Sequence, residues 1–376
     1  MGVKIKAMLE TDGGGAALKA IAVVAIALAG FVASLTPLGP RLEDMVLDGE
    51  WRLLRAFAPR EAPDDIVIVG VDPATVAAIP EPPPLWHASL GLALARIASS
   101  RPRAIALELP LPERSYEGLR PGLDRAFLTG LAAAAQNGPF IAALAIDART
   151  RSARQVYAPY LALLGNERLG IGLIARDADG TTRRFSLIVP TEDGGYPTLV
   201  GRLCRALAAS CSDGLIDFSL GPRFRYLALK TLLDARDMET LGKVFRDRIV
   251  LIGETQPYGS RIAVPLNMAG WEPERGDSPS IVVHAQSLRT ALAGAPMDVS
   301  RPWAVLLLSA AALVFLVRRL PLMLATALLA ALGLLLAALA SLHAGVHLPV
   351  APAFVTLALA SLARIATAVL KIQHAA

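Results

Sequence analysis

Four stretches of this chain are apolar at almost every position, without the alternation or one-sided stripe of a water-facing element. Ala20–Leu38 lies near the start, and Pro302–Val317, Leu322–Leu342 and Leu348–Ala363 crowd the last seventy-five residues. A bilayer hydrocarbon core about 30 Å thick requires roughly 20 such residues in a helix. The first and third stretches meet that length, and the other two reach it by borrowing neighbours, the last running on to residue 370. About 260 residues of mixed polarity separate the first stretch from the rest. The pattern predicts one membrane helix, a large water-facing domain, then three more helices.

Within the water-facing part the texture changes. Short continuous runs rich in Val, Ile and Ala, namely Ile66–Asp72, Arg103–Leu109, Pro139–Ile146 and Arg248–Gly253, read as strands buried on both faces. Helical patterns at His87–Ser99, Leu123–Gln136, Thr198–Ala209 and His284–Leu292 separate or follow them. This alternation predicts an α/β domain with a mainly parallel sheet. Asp177-Ala178-Asp179-Gly180 is a turn signal, so its flanks, residues 170–175 and 183–190, are expected to pair as a hairpin. Phe224–Leu232 reads as a strand running into a short helix, and Pro80–Pro84 as an extended polyproline-like loop.

Charge fixes the expected orientation. Lys4, Lys6 and Lys19 precede the first span, Arg318 and Arg319 separate the second and third, and Arg364 and Lys371 mark the end. Basic residues next to spanning helices stay cytoplasmic. Residues 1–19 are therefore expected inside as a cytoplasmic lead, residues 39–301 outside as a periplasmic domain, and both termini in the cytoplasm of a bacterium with this protein in its inner membrane. The chain has 37 basic and 32 acidic residues, net +5. Seven of those bases and two acids, Glu10 and Asp12, sit in the cytoplasmic fringes, which leaves the external part neutral. The basic pI is a topology signal rather than a nucleic-acid footprint. The first span is longer than a signal-peptide core, and Thr36–Pro40 is a poor cleavage context, so a retained anchor is expected.

The only cysteines are Cys204 and Cys211. On one continuous helix they would lie about 10 Å apart, too far to bridge, which favours two separate buried thiols. If the helix stops near Ser210, the chain can fold back and close a disulfide, which an oxidising compartment permits. There is no Cys/His metal spacing, Gly-x-Ser-x-Gly elbow, Walker loop or His-Glu-x-x-His. No enzyme, metal or other cofactor is expected.

Several residues occur in an order with a resemblance. The strand IVIVGVD ending at Asp72, the His87-Ala88 helix start, AIALEL ending at Leu109, the turn from Asp177 into RRFSLIVP, FRDRIVLIG ending at Gly253, and VVHAQSL around His284 precede a Pro302-Trp303 membrane entry. This set, with one helix before and three after, resembles the CHASE domain family, type 2 (cyclase/histidine-kinase-associated sensory extracellular domains), over most of Leu42–Trp303. The resemblance implies a periplasmic sensory or interaction module that usually drives a nucleotide cyclase or kinase. The chain departs from the family at Pro84-Leu85-Trp86, where Trp-Pro-Trp is common, and at Glu108, where Asp is common. It departs again at Gly259-Ser260 and Val264-Pro265, where Gly-Asp and Thr-Pro are usual. The sequence stops at Ala376, shortly after the last span, so no output domain is expected, and a signal is expected to pass to another protein.

Ligands of open α/β sheets bind beyond the carboxyl ends of the strands. Asp72, Glu108, Glu254 and Thr255 lie at such ends, and with His87 at the edge they could form an acidic cleft suited to a cation or an amine. Asp72 also fits an ordinary helix cap before Pro73. His284 reads as a hydrogen-bonded packing residue rather than a ligand, and Arg183-Arg184 as a solvated hairpin face rather than a clamp for a phosphate or carboxylate. Small residues around Gly333 make it the expected helix-contact point of a compact tail. Expected partners are another membrane or periplasmic protein, the lipid bilayer, or a second copy of the chain. The function expected is a membrane-anchored, non-catalytic sensory module, or alternatively an accessory subunit of a larger membrane complex.

Overall fold

A computed structural model describes residues 12–147, 152–192, 194–298 and 301–373. Lys4, Lys6, Glu10 and Ala376, all used above, lie outside the described residues. The chain forms two compact units: Arg55–Ala295, and Met1–Leu54 together with Pro296–Ala376.

The first unit is the α/β domain. Its central sheet has six strands: β1 (Ile66–Val71), β2 (Ala104–Leu107), β3 (Phe140–Leu144), β4 (Leu169–Ile171), β5 (Tyr226–Ala228) and β6 (Ile249–Glu254). They lie in the order β4-β3-β2-β6-β1-β5 and every pairing is parallel. Both faces of β1, β2, β3 and β6 are covered, which is why these strands read as unbroken apolar runs rather than alternating ones. On one face Val69, Val71, Ile105, Leu107, Phe140 and Ile252 share a core with helices His87–Ser99 and Leu123–Gln136. Those two helices cross at bare backbone, since a Cβ on Gly130 would fall 2.3 Å from Gly91 Cα. Helices Leu199–Ala206 and Ser280–Ala293 pack on the other face. Residues 280–291 of the second helix are buried, and the sheet lets it approach at Gly253, where a Cβ would fall 2.9 Å from Ile281 Cδ1.

The mainly parallel sheet therefore stands as the pattern predicts, and the excursion between β4 and β5 differs. Gly180 does turn the chain with φ +86, and the Gly180 N–H donates to Asp177 O. The flanks do not pair with one another. Leu169–Ile171 joins the edge of the parallel sheet, Arg184–Phe185 pairs with Gly214–Leu215, and Ile188–Thr191 pairs with Gly194–Pro197. Local turn chemistry was legible, and burial of the apolar flank against β3 decided the pairing. The proline loop is extended only to Pro82, and Pro83–Leu85 closes a 3-10 turn. Cys204 and Cys211 form a disulfide rather than two thiols, because the helix ends at Ala206 and Ala208 reverses the chain with φ +51, bringing the two Cα atoms to 6.2 Å.

The second unit holds the apolar helices. Asp12–Leu35, Leu320–His343 and Ala351–Gln373 are long and apolar enough to cross a membrane, with mean hydropathies of 2.3, 2.5 and 1.9 over their richest windows. The fourth stretch is shorter, a helix Arg301–Ala312 tightening into a 3-10 turn at Leu313–Leu316. An amphipathic helix, Leu38–Phe57, follows the first span directly and was not read from the sequence. Helices 12–35 and 351–373 meet closely, as a Cβ on Gly30 would lie 2.0 Å from Thr356 Oγ1. Gly333 is exposed, and a Cβ there would meet nothing within 4 Å, so within the chain the close helix contact is made at Gly30 and not at Gly333. Arg364 donates from Nε to Val317 O at 3.0 Å and from its terminal nitrogen to Arg318 O, satisfying carbonyls where the 3-10 turn ends.

Candidate functional site

The carboxyl ends of β2 and β6 carry the two acids of the site. The register sets Leu107 beside Ile252, and the Glu108 N–H donates to Ile252 O at 2.8 Å, so Glu108 follows directly beside Gly253. A Cβ on Gly253 would lie 2.1 Å from Glu108 Oε2, so this glycine provides the space the carboxyl occupies. One residue on, Glu254 Oε2 accepts the Ser260 N–H at 3.1 Å.

Both acids line a cavity of about 710 Å³ in the α/β unit. Its walls come from the ends of β3 and β4, chiefly Leu144, Ile146, Leu173 and Ile174, with Ile262 and Ser280 opposite. Ser280 opens the helix Ser280–Ala293, and Ile262 lies in the short antiparallel pair Arg261–Ala263 and Asp277–Pro279. It is clamped by Arg261, whose guanidinium meets Glu272 at 2.8 Å and Asp277 at 2.7 Å. Among the described residues the one basic residue lining the cavity is Arg176, which is exposed.

The Glu108 side chain is only 10 % exposed. Burial pushes its carboxyl up to about 7, the Ser280 hydroxyl opposes that rise, and the charge of Glu254 adds to it. Behind it stands His284, with Nε2 3.9 Å from Glu108 Oε1 and 3.1 Å from the Gly172 carbonyl. Complete burial lowers His284 to about 4, so it is neutral at pH 7 and donates from Nε2 to that carbonyl. His284 is a packing residue that also shields Glu108, and its partners were not legible from its position in VVHAQSL.

The other expected residues part company with this pair. Asp72 caps the helix Pro73–Ala78, accepting from Thr75 N at 2.8 Å, from Thr75 Oγ1 at 2.7 Å and from Tyr226 OH at 3.2 Å. Its carboxylate is committed to that work and does not line the cavity. Thr255 is buried against Gly70, and its N–H donates to Val71 O. Arg183, expected on a solvated face, is 2 % exposed and clamps Asp177 and Asp179 across the turn.

His87 lines a separate, smaller chamber of about 130 Å³, together with Trp86, Leu90, Leu107, Phe127 and Glu254. Its ring stacks on Phe127 at 5.3 Å between centroids and meets the edges of Tyr116 and Tyr160. Nδ1 lies 3.6 Å from Asp124 Oδ1. Burial resists ionisation of Asp124, yet hydrogen bonds from Ser115, the Tyr116 N–H and Tyr160 hold its carboxyl below the usual range. Burial also lowers His87, against the pull of Asp124. Asp124 was not singled out from the sequence because it lies 37 positions away on the next helix.

Among the described residues no group of three or more His, Cys, Asp or Glu could hold a metal ion. What the larger cavity can do chemically is accept positive charge between two carboxyls while its aliphatic walls cover an apolar body. The family model of the CHASE2 domain matches residues 21–331. No curated protein and no solved structure matches the chain.

Proposed function

Because the chain belongs to the CHASE2 domain family, whose members are sensory extracellular domains, we propose that it is a membrane-anchored, non-catalytic sensor. Its cavity takes an organic cation with an apolar body. The observation that carries this reading is that Glu108 and Glu254 line the same cavity, whose other walls are mainly aliphatic. Two acids lining one cavity repel an anion and attract a cation, and a bound cation favours the ionised form of Glu108 that burial alone opposes. The reading is non-catalytic because the sequence carries no Gly-x-Ser-x-Gly elbow, Walker loop or His-Glu-x-x-His.

Orientation belongs to the same proposal. The Lys and Arg next to the spans support both termini inside and the α/β domain outside, in a bacterial inner membrane. The tail helices then pass the signal to a membrane or periplasmic partner, or to a second copy.

A charge series tests the ligand class on the full-length protein in detergent. Hexylammonium, hexanol and hexanoate share one body and differ in charge. We expect hexylammonium alone to raise the melting temperature saturably, by mass action on the folded state. Equal responses to all three would refute the cation reading. No response, with a protein that persistently co-purifies from native membranes, would favour the accessory-subunit role instead.

A further inference from the structure

The chamber beside His87 is not explained by packing alone. His87 is 3 % exposed, lines the chamber, and neither of its ring nitrogens makes a hydrogen bond. A buried polar atom left in that state costs about 1–3 kcal/mol, which a ligand that satisfies it recovers. The carboxylate of Asp124, at 3.6 Å, can only accept, so it favours the proton on Nδ1 and leaves Nε2 as an acceptor. The occupant must therefore donate. Size narrows it further: an engineered cavity of about 150 Å³ lined by aliphatic and aromatic side chains holds benzene, and this chamber has about 130 Å³. Its walls are mainly Trp86, Leu90, Leu107, Phe127 and prolines, with Glu254 and Gln256 as the other polar residues. A long or multiply charged molecule does not fit that lining.

We infer that this chamber is a second binding site, for a single-ring hydroxylated aromatic whose hydroxyl donates to His87 Nε2 and whose ring lies among Trp86, Leu90, Leu107 and Phe127. Glu254, Leu109 and Pro110 line this chamber and the larger cavity alike. Occupancy of the chamber consequently bears on one of the two carboxylates proposed to hold the cation. The site stands on its own geometry and does not require the cation reading to be correct.

Phenol and anisole are the probes, because they share a ring and only phenol can donate. With the full-length protein in detergent, saturable thermal shifts are expected to give phenol a dissociation constant at least about fivefold below that of anisole, the worth of one net hydrogen bond. His87→Phe keeps a flat ring against Phe127 and removes the acceptor, and is expected to bring that ratio to about one. Should that variant fail to fold, Leu90→Phe fills the chamber and is expected to abolish phenol binding while leaving any hexylammonium response in place. The inference is overturned if wild-type protein shows no saturable phenol response, or binds anisole equally well. It is also overturned if the preference for phenol over anisole persists in folded His87→Phe, or if phenol binding survives in folded Leu90→Phe.

Discussion

Glu108 and Asp72 occupy equivalent places in sequence, each just beyond a parallel strand, and burial sends them to opposite ends. Asp72 has Pro73 behind it and a helix to cap, so its oxygens are consumed by Thr75 and Tyr226. Glu108 has Gly253 beside it and therefore room to turn into a cavity. The strand ends were readable from composition. Which acid faced space depended on a glycine some 145 positions later, and strand register is not written locally. Because the carboxyl of Glu108 is raised from 4.5 to about 7, the folded state holds its proton more tightly than the unfolded chain does. The cost of ionising it is absent below about pH 4.5, grows up to about pH 7, and is constant above, at about 3 kcal/mol. Glu50, also buried and raised to about 7, titrates over the same window. The informative quantity is thus the difference between wild type and Glu108→Gln. That difference in unfolding free energy is expected to move in favour of the variant between pH 4.5 and 7 and to stay flat above, as read by denaturant titration at a series of pH values.

The strands and the two helices His87–Ser99 and Leu123–Gln136 are legible in the sequence because long, strongly patterned elements leave few alternatives. The short strands after β4 are not, since two- to four-residue pairings carry too little pattern to name their partners. The close helix crossing was likewise hidden, because a glycine in a helical run has the same look whether it faces solvent or backbone. Gly130→Ala places a methyl group against Gly91 Cα. Overpacking of that kind is expected to cost about 2–3 kcal/mol, measured by thermal or chaotrope unfolding of the full chain. The same contrast separates two glycines of the apolar helices. Gly30→Leu drives a side chain into Thr356 and is expected to reduce cross-linking between cysteines introduced on helices 12–35 and 351–373. Gly333→Leu, which meets open space, is expected to leave that cross-linking unchanged; the reverse result would contradict the packing described here.

At the scale of the molecule, hydropathy alone gave the arrangement of one apolar helix, a large α/β unit and an apolar tail. It missed the amphipathic helix Leu38–Phe57, whose apolar residues recur at helical spacing between charges and carry no membrane signal. The compact α/β unit begins at Arg55, within the C-terminal turn of that helix. The proposed orientation rests on the Lys and Arg next to the spans, and reporter fusions test it: a phosphatase fused after Asp179 is expected to be active and one fused after Arg319 inactive. The reverse pattern would invert the sensor.

The central claim is that Glu108 and Glu254 together hold an organic cation, and calorimetric titration of hexylammonium into the full-length protein tests it most directly. Wild-type protein is expected to give a saturable isotherm that strengthens as pH rises through about 7, because Glu108 gives up its proton to meet the cation. The Glu108→Gln, Glu254→Gln double variant is expected to give none while remaining folded. A saturable isotherm of the same affinity in that variant, or no binding to the wild type at any pH, would contradict the account.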